Sequence, residues 1–226
     1  MKIFISGIDT DSGKSIVTGL LAKYLQEQKK SVITQKYVQT GCTGIAEDLI
    51  THRQIMGIPL QKQDKESITC SYLFKHPASP HLSAAMEGVT IDASKFTKAS
   101  QELEKDFEYI LMEGAGGLMV PLNDEALLID YVHEQKYPVI LVTSSKLGSI
   151  NHTLLSLEAL KNRNLELIGV VYNQYPNEDE KITKDSEQMI QKLLKKTYPN
   201  SPFVSIPNIN FENLPEINFK SFFKNI

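Results

Sequence analysis

Ile3-Phe4-Ile5-Ser6-Gly7-Ile8-Asp9-Thr10-Asp11-Ser12-Gly13-Lys14-Ser15 lies near the start of the chain and decides how the rest is read. Its first residues form a short apolar run of the kind that suits a strand buried on both faces. The residues that follow, Ser15 to Lys29, carry Val17, Leu20, Leu21, Tyr24 and Leu25 on one helical stripe. Strand, glycine loop and helix in that order are the context a phosphate-binding loop requires. The glycines let backbone N–H groups turn inward, a lysine neutralises terminal phosphate oxygens, and a serine hydroxyl suits magnesium. A nucleoside triphosphate with its magnesium ion is therefore expected at Gly7 to Ser15. A tight turn capped by Ser12 or Ser15 would not need Gly13, Lys14 and Ser15 in that order. Five residues, rather than the usual four, separate Gly7 from Gly13.

Working outward, Tyr109-Ile110-Leu111-Met112, Val139-Ile140-Leu141-Val142 and Leu167-Ile168-Gly169-Val170-Val171 are further apolar runs. Helical patterns at 150–162 and 179–196 alternate with them, and Ser31 to Thr34 and Phe203 to Ile206 read as two added strands. Strand alternating with helix implies an α/β fold with a doubly wound, mainly parallel sheet. A length of 226 residues suits one domain, 1–226. Residues 208–226 form a tail whose Phe219, Phe222 and Phe223 are expected to dock on the body. A net charge of -3 offers no general basic field, so neither nucleic acid nor membrane is an expected partner. Two cysteines, Cys42 and Cys70, are too few for a disulfide scaffold and have no metal-ligand spacing with the five histidines. The start of the chain lacks a signal-peptide apolar region and no apolar run approaches membrane-span length, so a cytoplasmic location is expected.

Several other segments carry chemistry. Glu113, in Met112-Glu113-Gly114-Ala115-Gly116-Gly117, falls at the C-terminal end of a buried strand, where ligands gather in open α/β sheets. Glu113 can complete a magnesium shell, and the glycines after it allow close approach of a ligand or form a flexible turn. Lys36, in Gln35-Lys36-Tyr37-Val38-Gln39-Thr40-Gly41, can stabilise transferring charge. Asp48 sits on the polar face of a short helix, and its spacing alone assigns it no task. Pro77-Ala78-Ser79-Pro80-His81 reads as a rigid loop, and His81 has no evident partner in the sequence. Lys146-Leu147-Gly148-Ser149-Ile150-Asn151-His152 opens a helix whose N–H groups can hold a carboxylate, with capping by Ser149 as the alternative. Asn173 ends a strand and either reads a base edge or caps a turn. Ile206-Pro207-Asn208 can line a base.

Together these segments resemble the dethiobiotin synthetase family, from Met1 to about Asn208. The Gly-x5-Gly-Lys-Ser loop, the Glu-Gly-Ala-Gly-Gly segment, Ser79-Pro80-His81 and the Lys146 to His152 segment appear in the family's order. The resemblance implies a P-loop NTPase-like fold and a homodimer. It implies ATP- and Mg2+-dependent carboxylation and ring closure of 7,8-diaminononanoate with CO2, giving dethiobiotin, ADP and phosphate. It implies that Asp11, Ser12, Gly13, Lys14, Ser15 and Ile16 cover the triphosphate and that Ser15, Asp48 and Glu113 hold magnesium. Lys36, with Lys14, is the catalytic lysine, and Thr40 contacts substrate, as do Ser79 and Pro80. Glu113, Gly114, Ala115, Gly116 and Asn173 match nucleotide-contacting positions, and Ile206, Pro207 and Asn208 the far side of the base pocket. Gly148, Ser149, Ile150 and Asn151 are implied to anchor the substrate carboxylate from the neighbouring subunit. This chain departs from the family's Lys-Pro-Val at Tyr37.

Two other P-loop readings fit the sequence less well. A partitioning-type P-loop switch ATPase carries a second lysine early in the loop, where this chain has Asp9. A small-molecule kinase brings an arginine-rich lid, whereas Arg53 and Arg163 are the only arginines here.

Overall fold

The computed structural model describes residues 1–223. In chain order the elements are β1 (Lys2–Gly7), α1 (Lys14–Glu27), β2 (Val32–Thr40), α2 (Glu47–Met56), α3 (Lys62–Lys65), β3 (Cys70–Phe74), α4 (Pro80–Met86) and α5 (Ser94–Leu103). They continue with β4 (Tyr109–Gly117), α6 (Leu128–Glu134), β5 (Val139–Ser144), α7 (Ser149–Asn162), β6 (Leu167–Asn173), α8 (Glu180–Thr197) and β7 (Phe203–Ile206). The seven strands form one sheet in the order β3-β2-β4-β1-β5-β6-β7. Every pairing is parallel.

The apolar runs alternate between two cores, as a strand buried on both faces must. Phe4, Ile110, Met112, Val139 and Leu141 enter one core. Ile3, Ile5, Leu111, Ile140 and Val142 enter the other. Phe219, Phe222 and Phe223 join this second core, so the tail docks on the body as expected. Gly169 on β6 makes room for it, since a Cβ there would lie 2.6 Å from the Phe222 ring.

Three local expectations are corrected. β2 does not stop at Thr34 but runs to Thr40, so Lys36 and Thr40 lie on a strand and not in a loop. β4 likewise continues to Gly117, and the Glu-Gly-Ala-Gly-Gly segment is strand with a register shift against β1 rather than a turn. Only the first part of Pro77–His81 is loop, because Pro80 opens α4, where its missing N–H is no loss.

Below β2 and α2 lies a buried ion pair. Asp64 accepts from Arg53 Nε at 2.9 Å and Nη2 at 2.8 Å, from Thr69 Oγ1 at 2.7 Å and from the Gln61 N–H at 2.7 Å. Burial opposes ionisation of Asp64, but the hydrogen bonds and charge of Arg53 outweigh it and hold the carboxyl below its ordinary value. A depressed folded pKa stabilises the fold above the unfolded value, near 3.8, and that stability is lost as pH falls through the folded value. Asp64→Asn should therefore cost about 3 kcal/mol in urea unfolding at pH 7. The gap from wild type should narrow as pH drops below about 3.8. A mutant of wild-type stability at pH 7, or a gap unchanged by acid, would contradict this account of the pair.

Candidate active site

The sheet order sets β1, β4 and β2 side by side, and register brings their C-terminal ends together. Glu113 stands opposite Ile5 of β1 and opposite Lys36 of β2. Beyond Gly7 the chain turns through the loop into α1, whose N-cap, Gly13, has φ 93°. A side chain at Gly13 would place its Cβ 2.2 Å from Asn173 Nδ2, which donates to the Ser12 carbonyl at 3.2 Å and ties the loop to β6. Only glycine meets both the backbone angle and the close approach.

Glu113 is fully buried. Its Oε1 accepts from Lys36 Nζ at 2.8 Å and lies 3.0 Å from Ser15 Oγ, and its Oε2 lies 2.8 Å from His52 Nε2. Ser15 Oγ also lies 2.8 Å from Asp48 Oδ1, and Lys36 reaches Asp48 Oδ2 at 2.6 Å and the Gly114 carbonyl at 3.0 Å. Burial of Glu113 favours its neutral form, yet the charge of Lys36 and the His52 hydrogen bond prevail and hold it well below the carboxylate range. Lys36 answers in kind: burial opposes its charge, but Glu113 and Asp48 raise it above the ordinary lysine value. Lys36 thus donates to Glu113 and Gly114 and lies against Asp48, so a phosphate oxygen competes with protein acceptors for it. Lys14 folds back over the loop, donating to the carbonyls of Asp9 at 2.7 Å and Thr10 at 2.9 Å. Burial, and then the charge of Lys36, lower its pKa to about 8.

Ser15, Asp48 and Glu113 bring hard oxygens together with a single hydroxyl proton between Ser15 and two carboxylates, a donor set that fits Mg2+ rather than a soft metal. Tyr37, the departure from Lys-Pro-Val, is also accounted for. Its ring stacks on Phe96 at 4.5 Å and 2° and packs against Phe4 and Tyr131, bracing the strand that carries Lys36.

A cavity of about 910 Å³ opens over these groups. Asp11, Gly13, Lys14, Ser15 and Ile16 line it with Lys36, Asp48, Glu113, Ala115 and Gly116. Thr40, Ser79 and Pro80 lie on the β2 side, and Asn173 and Asn208 on the β6 side. Ser12 points away, its hydroxyl bonded to the Asp9 carbonyl at 3.1 Å. Gly114 is buried behind the wall, where a Cβ would meet Phe4 at 2.8 Å. Ile206 is fully buried in the second core and Pro207 is exposed, so neither side chain lines the cavity. Tyr175, Ile209 and Phe211 line it instead, from segments whose composition carried no chemical signal.

Gly148 to Asn151 do not line this cavity. Gly148 caps α7 with φ 96°, and Ser149 is buried with its hydroxyl 3.0 Å from Ser144 Oγ. The Ser149 N–H already serves the Lys146 carbonyl at 3.0 Å. That leaves the N–H groups of Ile150 and Asn151 as the first-turn donors for any anion there. His52 was not anticipated. It lies one helical turn after Asp48 on α2, and that i, i+4 spacing was the signal available.

Residues 1–208 match the family described as an AAA domain. An ATP-dependent dethiobiotin synthetase BioD 2 from Haemophilus ducreyi is 53% identical over 202 residues, covering 89% of this chain and 96% of its own length. An ATP-dependent dethiobiotin synthetase BioD from Chlorobaculum tepidum is 49% identical over 85% of this chain and 80% of its own. Among solved structures, the signal recognition particle receptor FtsY from Elizabethkingia anophelis is similar with a TM-score of 0.55 at 14% identity, covering 99% of this chain and 64% of that one. The MinC:MinD cell division protein complex of Aquifex aeolicus gives 0.52 at 16%, covering 91% and 81%. These two share the P-loop fold and no more. Identity near one half along most of both chains carries a stronger conclusion: this chain belongs to the ATP-dependent dethiobiotin synthetase family.

Proposed function

We propose that this protein closes the ureido ring of dethiobiotin from 7,8-diaminononanoate, CO2 and ATP, with Mg2+ held by Ser15, Asp48 and Glu113. The observation that carries the reading is the meeting of Lys14, Lys36 and those three oxygen donors at one wall of the cavity. Such a site serves charge neutralisation, which is what phosphoryl transfer to an oxyanion demands. The P-loop, Lys14 and the Ala115-Gly116 backbone of β4 hold the triphosphate. Asn173, Tyr175, Asn208, Ile209 and Phe211 form the base side, and Thr40, Ser79 and Pro80 the diamine side.

The protein need not supply a nucleophile, because the substrate amines already are nucleophiles once deprotonated. One amine takes up CO2 as a carbamate, whose oxygen attacks the γ-phosphorus and displaces ADP. The second amine then attacks the carbonyl carbon of the resulting anhydride and expels phosphate. Lys36 exchanges its contacts with Asp48, Glu113 or Gly114 for the oxygens on which charge grows, and Lys14 leaves the loop carbonyls for the terminal phosphate. Bound Mg2+ would draw off charge from the phosphate oxygens.

We assign the Gly148 to Asn151 turn to the substrate carboxylate of the neighbouring subunit in a homodimer. Its absence from the lining of the chain's own cavity and the exposed Leu147 and Leu155, at 85% and 57%, support that arrangement. Among the described residues no helix is long and apolar enough to cross a membrane. A cytoplasmic enzyme acting on small molecules is the fitting setting.

Dethiobiotin should appear by mass spectrometry when the protein meets ATP, Mg2+, bicarbonate and the diamine; ATP consumption without it would reject the reading. Lys36→Gln should lower kcat about 100-fold with little change in KM, since its charge is most needed in the transition state. A raised KM at unchanged kcat would make it a binding residue. Gly148→Ala should raise the diamine KM several-fold and leave that of ATP alone, because alanine resists the left-handed angle that aims the turn, at about 1–2 kcal/mol. Equal losses for both substrates would place the carboxylate elsewhere.

A further inference from the structure

Behind Glu113 runs a chain of buried hydrogen bonds that the chemistry above leaves unused. Asp64 grips Arg53, Arg53 Nη1 donates to Thr34 Oγ1 at 2.7 Å, Thr34 Oγ1 lies 2.9 Å from His52 Nδ1, and His52 Nε2 lies 2.8 Å from Glu113 Oε2. Thr34, His52 and Glu113 are fully buried, and Arg53 and Asp64 nearly so.

Elementary donor and acceptor rules give this chain one direction. A guanidinium only donates, and an ionised carboxylate only accepts. Thr34 takes the Arg53 proton on its oxygen and must place its own, and among the described residues the ring of His52 is the one acceptor its hydroxyl meets. His52 therefore accepts at Nδ1 and donates from Nε2. The Glu113 carboxylate is held at Oε2 from behind, and Oε1 is left to face Ser15 and Lys36.

We infer that His52, backed by Thr34 and Arg53, is a positioning residue that fixes the carboxylate plane of Glu113 so that one oxygen is presented to the cation. The inference rests on the reading of Ser15, Asp48 and Glu113 as magnesium ligands. Packing alone would not choose between the two oxygens, because a carboxylate turned about its last bond has the same shape. A hydrogen bond from behind does choose, and outer partners of this kind commonly change metal affinity 10- to 100-fold.

The test is Mn2+ binding in the presence of a non-hydrolysable ATP analogue, followed by the electron paramagnetic resonance of free Mn2+, with melting curves to record folding. His52→Leu should weaken Mn2+ binding about tenfold or more. His52→Gln, whose amide N–H reaches nearly the same place, should stay within about threefold of wild type. Thr34→Val preserves shape and should weaken binding a few-fold, which keeps the test available if the leucine variant does not fold. Wild-type affinity in folded His52→Leu or in Thr34→Val, or an equal loss in His52→Gln and His52→Leu, would overturn the inference. Glu113→Gln separates the two ideas. Loss there with none in His52→Leu rejects the positioning role alone, whereas undiminished binding in both rejects the metal assignment beneath it.

Discussion

The structure is organised around the ionised carboxylate of Glu113, a charge with no solvent exposure in the middle of a parallel sheet. Removing such a group from water costs several kcal/mol, and the fold tolerates it only because each oxygen has a donor in good geometry. Lys36 comes from the adjacent strand in direct register, Ser15 from the first turn of α1, and His52 from α2. The strand order supplies all of this. Insertion of β4 between β2 and β1 makes the phosphate loop, the lysine and the carboxylate neighbours, although they lie far apart in sequence.

The same constraint explains which parts of the molecule could be read from the sequence. β1, β5 and the start of β4 announce themselves as unbroken apolar runs because they are covered on both faces. The phosphate loop announces itself through its ordered residues and its place between strand and helix. β2 looks short in the sequence because Gln35 and Lys36 break its apolar run, yet both are buried, one bonded to Ser100 and the other to Glu113. β4 looks short in the sequence because its glycines resemble a turn, although they continue the strand. β3 left no clear trace, since an edge strand that alternates half-buried and buried residues resembles a loop.

Function was legible unevenly and for similar reasons. Lys14 and Ser15 carry their roles in a local motif. Asp48 looks like any acid on a helix face until the fold brings it within 2.6 Å of Lys36. His52 depends on a tertiary contact, and Tyr175, Ile209 and Phe211 are ordinary residues whose only distinction is where the chain turns. The likeness to the signal recognition particle receptor and the MinC:MinD complex follows from the sheet and loop, which many activities share. What sets the site apart is the second lysine on β2 and the carboxylate opposite it, both lining one cavity.

That arrangement makes a specific demand on the chemistry. On the proposed reading Lys14 and Lys36 neutralise charge at the cavity, and the oxygen that attacks phosphorus comes from the substrate's own carbamate. A single-turnover reaction begun with 18O-labelled CO2 and read by mass spectrometry of the inorganic phosphate tests this most directly. The account predicts one labelled oxygen transferred to phosphate for each dethiobiotin formed. Dethiobiotin made alongside phosphate free of excess label would show that ATP is not spent on the carbamate, and would contradict it.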